Sequence, residues 1–336
     1  MKPLMMLRQR AAEAHLSGRL AEAEQAYRDL LDSAPSADVA ANLGALLRGQ
    51  ARLEDARVHY TWALEAFPDD LQVLLNACNL LRDLGHAEAT LPLLQRALQR
   101  LPQDASLRQA LALSLHHCAR IGEALALLPA LVAERPDDLN LRLEFGACLA
   151  KQGRQDEALT QFAEAAALAP ADLRPVGNQI TMLTDLGRHQ EALQLLEAAP
   201  GRGQDPQLIG AEAGLQFAMN DVVRAAELHR QLTTLQPHEA NHWLNLASCQ
   251  KHLRQMVAPL QSLQQGLKQA PHRLDLQLSL GSLLVEHGRH EEGLQFLQCL
   301  VDHPDASDIA HSIYQFAAAG NLSLIHISEP TRPERI

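Results

Sequence analysis

His238-Glu239-Ala240-Asn241-His242 is the stretch whose residue types come closest to chemistry. Histidines one helical turn apart can hold zinc while the glutamate between them activates a water. Pro237 stands immediately before the stretch, so a helix is expected only from Ala240, with His238 and Glu239 left in a turn. The extended form of the pattern also needs a glycine and a third histidine where Asn245 and Ser248 stand. The sequence therefore favours a solvent-facing turn over a zinc hydrolase. His116-His117 is the second candidate, but neighbouring helical residues point about 100° apart. One is expected on an inner wall and the other at a helix end. The five cysteines, Cys78, Cys118, Cys148, Cys249 and Cys299, include no C-x-x-C and read as reduced core thiols. No phosphate-binding glycine loop, Ser-His-Asp context or facing carboxylate pair stands out, so the expectation is no catalytic residue, no cofactor and no metal ligand.

These residues must be positioned by helices. Residues 139–170 show the plan: Leu141, Phe145, Cys148 and Leu149, then Ala158, Leu159, Phe162 and Ala165, recur at helical spacing in two blocks separated by Gly153. Asp137 and Asp138 can cap the first helix, Gly153 can end it in the left-handed conformation, and Pro170 stops the second. Gly146 and Ala158 are small so that the paired helices can approach closely. The same turn recurs at Gly18, Ala51, Gly85, Ala119, Gly153, Gly187, Asn220, Arg254 and Gly288, 33 or 34 residues apart. Such a period marks an array of helical hairpins in which each touches only its neighbours.

Asn42-Leu43-Gly44 with Ala56, Tyr60, Ala63 and Pro68, and Trp243-Leu244-Asn245-Leu246-Ala247 with Pro271, resemble the signature of the tetratricopeptide repeat. The resemblance implies an all-α fold, a right-handed superhelical solenoid of about nine and a half hairpins. The units fall near 4–35, 37–68, 71–102, 105–136, 139–170, 173–199, 206–237, 240–271 and 274–304, with a half unit at 306–320, forming one continuous array over 1–321. Residues 322–336, within LSLIHISEPTRPERI, resemble the in-frame translation of a transposase sequencing adapter. They read as non-native, with the natural protein expected to continue past residue 321.

Three departures from the pattern stand out. Pro92 falls early in its second helix, where its missing N–H should cost little. Pro259 replaces the usual alanine, so its helix should start late or bend. The run Pro200-Gly201-Arg202-Gly203-Gln204-Asp205-Pro206 replaces a closing signal and reads as the clearest seam.

The net charge of -11 and the 3% aromatic content argue against a nucleic-acid groove, which needs a basic stripe and stacking platforms. The amino-terminal apolar run is too short for a signal peptide, and no stretch approaches a membrane span. The expected setting is cytoplasmic, with a protein or extended peptide as partner, no nucleic acid and no membrane.

In tetratricopeptide repeats the first helices line the concave wall. Carried onto this chain, that wall holds Asn42, Arg48, Asn76, Asn79, Arg82, Gln109, His116, Asn140, Lys151, Asn178, Asn245 and Lys251 as candidate peptide-binding residues. Amides and cations along such a groove can bond an extended main chain with little regard to its sequence. Two functions follow. One is a non-enzymatic interaction scaffold. The other rests on Asn42, Asn76, Asn178 and Asn245, all at the sixth position of their units. This is similar to the asparagine ladder in the repeat arm of O-linked N-acetylglucosamine transferases, including bacterial SPINDLY-type members. It implies the substrate-recognition arm of a truncated multidomain enzyme, with no turnover by this chain alone.

Overall fold

Asp138 accepts a hydrogen bond from the Leu141 backbone N–H at 3.0 Å, which satisfies one of the donors that a helix start leaves without a partner. Thirteen residues later the helix closes. Gly153 adopts a φ of 81°, and the Arg154 N–H reaches back to the Leu149 carbonyl at 2.9 Å, so the last turn is satisfied as the chain reverses. The same backward bond recurs from Arg19 to Ala14, Arg52 to Leu47, His86 to Leu81, Arg120 to Leu115, Arg188 to Leu183, Asp221 to Gln216, Gln255 to Gln250 and Arg289 to Leu284.

The computed structural model describes residues 2–50, 52–271 and 273–301, and among them are eighteen helices and no strand. It divides into two compact units, Met1–Arg154 and Gln155–Ile336. The first holds α1 (Lys2–Leu16), α2 (Leu20–Ser33), α3 (Ala37–Gly49), α4 (Leu53–Ala66), α5 (Leu71–Asp83), α6 (Ala87–Arg100), α7 (Ala105–His117), α8 (Ile121–Glu134) and α9 (Leu139–Lys151). The second holds α10 (Gln155–Leu168), α11 (Arg174–Asp185), α12 (His189–Ala198), α13 (Pro206–Ala218), α14 (Val222–Leu235), α15 (Ala240–His252), α16 (Ala258–Gln269), α17 (Leu274–Glu286) and α18 (His290–Val301). The division falls in the turn after Gly153, away from the 200–206 run. The expected unit end at Pro304, the half hairpin 306–320, the segment 322–336, the turn residue Ala51 and the Cys299 thiol lie outside the described residues.

Within each unit every helix packs on the next, and first helices also touch the first helices that follow: α3 on α5, α5 on α7 and α7 on α9, then α11 on α13 and α15 on α17. The core is leucine and alanine at these contacts, with Leu30, Leu43, Leu47, Leu80, Leu94 and Phe162 among the largest fully buried side chains. Gly44 shows what the Leu-Gly pair is for. A Cβ there would lie 2.2 Å from the Tyr60 ring, whose hydroxyl donates to the Ala41 carbonyl at 3.2 Å.

Two of the three departures resolve clearly. α16 begins four residues after Arg254, whereas α10 begins two after Gly153, so Pro259 does delay its helix and takes a place in the first turn. Pro92 overturns its expectation. It is the sixth residue of α6, past the first turn, so the Glu88 carbonyl loses its intrahelical donor. In the 200–206 run Gly201 and Gly203 take φ of 77° and 78°, Gln231 donates to the Gly203 carbonyl at 2.9 Å, and Asp205 caps α13 through the Leu208 N–H at 3.1 Å.

Among the described residues, three turn positions hold the left-handed conformation without being glycine: Ala119 at φ 57°, Asn220 at 67° and Arg254 at 55°. Asparagine tolerates this region, but alanine and arginine meet a Cβ clash of about 1–2 kcal/mol. Ala119→Gly and Arg254→Gly are each expected to stabilise the protein. Glycine's extra freedom in the unfolded chain offsets part of the relief, leaving about 0.5–1 kcal/mol. Urea unfolding followed by circular dichroism measures it, and a lower midpoint for both variants would contradict the account.

Candidate functional site

On a first helix, unit positions 2, 5, 6, 9, 12 and 13 span an arc of about 120°, one helical face. Hydrogen bonds between successive first helices identify that face in the structure. Arg48 at the end of α3 pairs with Asp83 at the end of α5, and the carboxylate beside it raises the guanidinium above its ordinary value. In the second unit Lys251 of α15 meets Glu286 of α17 in the same register, Nζ to Oε2 2.8 Å. Both pairs are exposed enough for water to compete.

Arg82 behaves differently. It is only 8% exposed, donates from Nη1 to Ser114 Oγ of α7 at 3.1 Å and from Nη2 to its own helix's Asn79, and burial lowers its pKa. His116 repeats the same step one hairpin on. Its Nδ1 lies 2.6 Å from Glu144 Oε1 on α9, and Cys148 donates from Sγ to that same oxygen at 3.8 Å. Burial, reinforced by the Glu144 carboxylate, pushes the Cys148 thiol up to about 12. Position twelve of one hairpin thus meets position ten of the next, as Arg82 with Ser114 and as His116 with Cys148. Sequence reasoning named Arg82 and His116 but not these partners. The signal was available, because both pairs are separated by the same 32 residues in the chain.

The remaining candidates fall into three groups. Asn42, Asn140 and Lys151 are exposed, as is Gln72, which donates to Asn76 Oδ1 at 2.9 Å. Gln109 instead ties the two helices of its own hairpin, accepting from Arg135 Nη2 at the end of α8 at 2.8 Å. Asn178 and Asn245 are half-buried in the second unit. His117, beside His116, is exposed.

The H-E-x-x-H stretch takes the form its preceding proline implies. Glu239 is the residue before α15 and accepts from the Asn241 N–H at 3.3 Å, while His238 lies outside the helix with Nδ1 3.2 Å from the Gln269 carbonyl. His242 turns to Gln236 Oε1 at 3.0 Å. The two histidines face different partners. Cys78, Cys118, Cys148 and Cys249 are free thiols, with Cys118 the least buried of them. No helix among the described residues is long and apolar enough to cross a membrane.

Residues 71–175 match the family model described as tetratrico peptide repeat. No curated protein matches the chain. Among solved structures, a tetratricopeptide repeat protein from Parabacteroides merdae is 18% identical, covers 74% of this chain and 99% of its own, and superposes with a TM-score of 0.63. The APC/C hetero-tetramer Cut9-Hcn1 is 20% identical, covering 88% of this chain and 59% of its own at 0.54. A human IFIT1 dimer with m7Gppp-AAAA is 13% identical, covering 85% and 78% at 0.52. The protein is thus of tetratricopeptide-repeat type in its fold, an all-helical repeat protein.

The two kinds of polar contact differ in what their loss should do. Arg82→Ala leaves Ser114 and Asn79 without their buried partner and is expected to cost about 1–3 kcal/mol. Lys251→Ala removes an exposed pair and should change stability by no more than about 1 kcal/mol. Parallel urea titrations test this ordering, and an equal effect of the two substitutions would contradict the distinction.

Proposed function

We propose that the protein is an interaction scaffold and that the first-helix wall of the amino-terminal unit binds an extended polypeptide. The observation that carries this reading is the set of polar side chains on that wall that do not hold the hairpins together. Asn42 and Lys151 stand exposed beside rungs such as Arg82 that are already engaged. Exposed polar groups along first helices that touch in succession can match the repeating N–H and C=O groups of an extended chain, while Lys151 supplies register by charge. Tetratricopeptide-repeat proteins in general bind proteins or peptides.

The neighbours illustrate two ligand classes for one fold: Cut9 is seen with a second protein, and IFIT1 with a capped RNA. Charge separates them here. A net charge of -11 opposes the phosphate contacts that dominate nucleic-acid affinity. The asparagine recurrence at Asn42, Asn76, Asn178 and Asn245 supports a second reading of the same wall, as the substrate-recognition arm of a SPINDLY-type transferase. Under either reading this chain alone transfers no sugar from a nucleotide-sugar donor.

The test selects binders from a displayed random-peptide library and measures their affinity by fluorescence anisotropy. Combined Asn42→Ala, Asn76→Ala and Lys151→Ala substitution is expected to weaken binding about tenfold or more, two or three lost hydrogen bonds' worth, with helicity unchanged. Unaltered affinity for every selected peptide would place the binding surface elsewhere. Salt-sensitive capture of single-stranded RNA with no peptide selected would replace the reading with a nucleic-acid one.

A further inference from the structure

One cluster on the amino-terminal unit has no part in the peptide reading. His116 Nδ1, a Glu144 carboxylate oxygen and Cys148 Sγ all lie within 4.8 Å of one another. The histidine is 8% exposed and the cysteine not at all, so the three meet inside the packing of α7 against α9. Glu144 and Cys148 are four apart on α9 and project from one face, a helical turn from each other, while His116 is the next-to-last residue of α7. Rigid elements therefore supply all three groups.

We infer that His116, Glu144 and Cys148 form a binding site for a zinc-class divalent transition-metal ion, with water as the fourth ligand. The donor set is one imidazole nitrogen, one carboxylate oxygen and one sulfur, the mixture that selects zinc or cobalt over calcium or magnesium. Bonds of about 2.0–2.3 Å arranged tetrahedrally put ligand atoms about 3.3–3.8 Å apart. Cys148 Sγ already lies 3.8 Å from Glu144 Oε1, and His116 Nδ1 has to retreat less than about 1 Å from its 2.6 Å hydrogen bond, a rotamer adjustment. Without an ion, the hydrogen bonds to Glu144 Oε1 keep the three groups aimed at one point.

Binding exchanges protons for metal. The Cys148 S–H bond breaks, the thiolate pair forms the sulfur–metal bond, and the proton leaves to buffer; the neutral His116 ring takes the Nε2–H tautomer, which frees the Nδ1 lone pair for the metal, with no change of oxidation state. Because the sulfur binds as thiolate, affinity rises with pH. Arg82 and Lys151 are the cations whose charges reach this cluster, and they oppose an incoming cation, while Glu144 favours it; burial lowers the pKa of the neighbouring His117, which keeps that ring neutral. Two anionic ligands, a carboxylate and a thiolate, outweigh that opposition once the thiol is deprotonated. In the sequence Glu144 and Cys148 are one helical turn apart, but His116 lies 28 and 32 positions before them, so only the hairpin period brings it to the pair.

Cobalt reports on the thiolate directly. The full chain, stripped with chelator, is titrated with Co2+ at neutral and mildly alkaline pH. The expected result is a thiolate-to-cobalt charge-transfer band that saturates at one equivalent, strengthens at the higher pH and disappears when Zn2+ is added. Cys148→Ser is expected to abolish the band, and Glu144→Gln, which keeps the packing shape, to weaken cobalt binding about tenfold or more. Cys249→Ser serves as the buried-thiol control and should leave both unchanged. Absence of the band in the parent chain, or its persistence in Cys148→Ser, overturns the assignment. If Cys148→Ser loses helicity, the Glu144→Gln titration decides: unchanged cobalt affinity there overturns it equally.

Discussion

Reversal of the chain through one left-handed residue is the constraint on which the rest of the structure depends. The first helices are 12 or 13 residues in α3, α5, α7, α9 and α11, a length at which an isolated helix is marginal in water. Their stability comes from packing, which requires that each partner helix return antiparallel at the right phase. Gly153 and its counterparts set that phase, and the bond from the residue after each to a carbonyl five back locks it. Where evolution placed Ala119 or Arg254 instead of glycine, the backbone still adopts the same conformation. Neighbouring hairpins thus dictate the turn more strongly than the residue's own preference does.

That hierarchy explains how much was legible beforehand. The turn register was readable where it rests on glycine and asparagine, whose backbone preferences are local, and at Ala119 and Arg254 only through the 33- or 34-residue period. Asp138 as a cap and Pro259 as a late start follow from the same local rules. Pro92 did not, because its cost depends on where α6 begins, and Ala87 moves that start too far upstream for the proline to fall in the first turn. The division after Arg154 has no marker of its own in composition, whereas the Pro200–Pro206 run has many and does not coincide with it.

The candidate site was legible as a face and illegible as a set of contacts. Helical period is enough to say that Asn42, Arg48, Arg82, His116 and Lys151 share one side of their helices. It does not say which of them the next hairpin consumes. Arg82 and His116 are drawn inward because position ten of the following helix offers them Ser114 and Cys148, small residues that leave room for a long side chain above. Arg48 and Lys251, also at position twelve, form exposed pairs instead. The same residue position is therefore structural in one hairpin and open in another.

This mixture decides how a ligand can engage the wall. Displacing Arg82 from Ser114 would strand a buried hydroxyl and a guanidinium that burial already disfavours as an ion, a cost that a peptide carboxylate or carbonyl would have to exceed. Displacing Arg48 from Asp83 strands nothing, since both are exposed and water replaces either partner at little free energy. An extended chain laid along the first helices therefore exchanges contacts at the exposed rungs and rests on the buried ones. Under the proposed peptide reading the former would set affinity, while the latter keep successive first helices at their spacing.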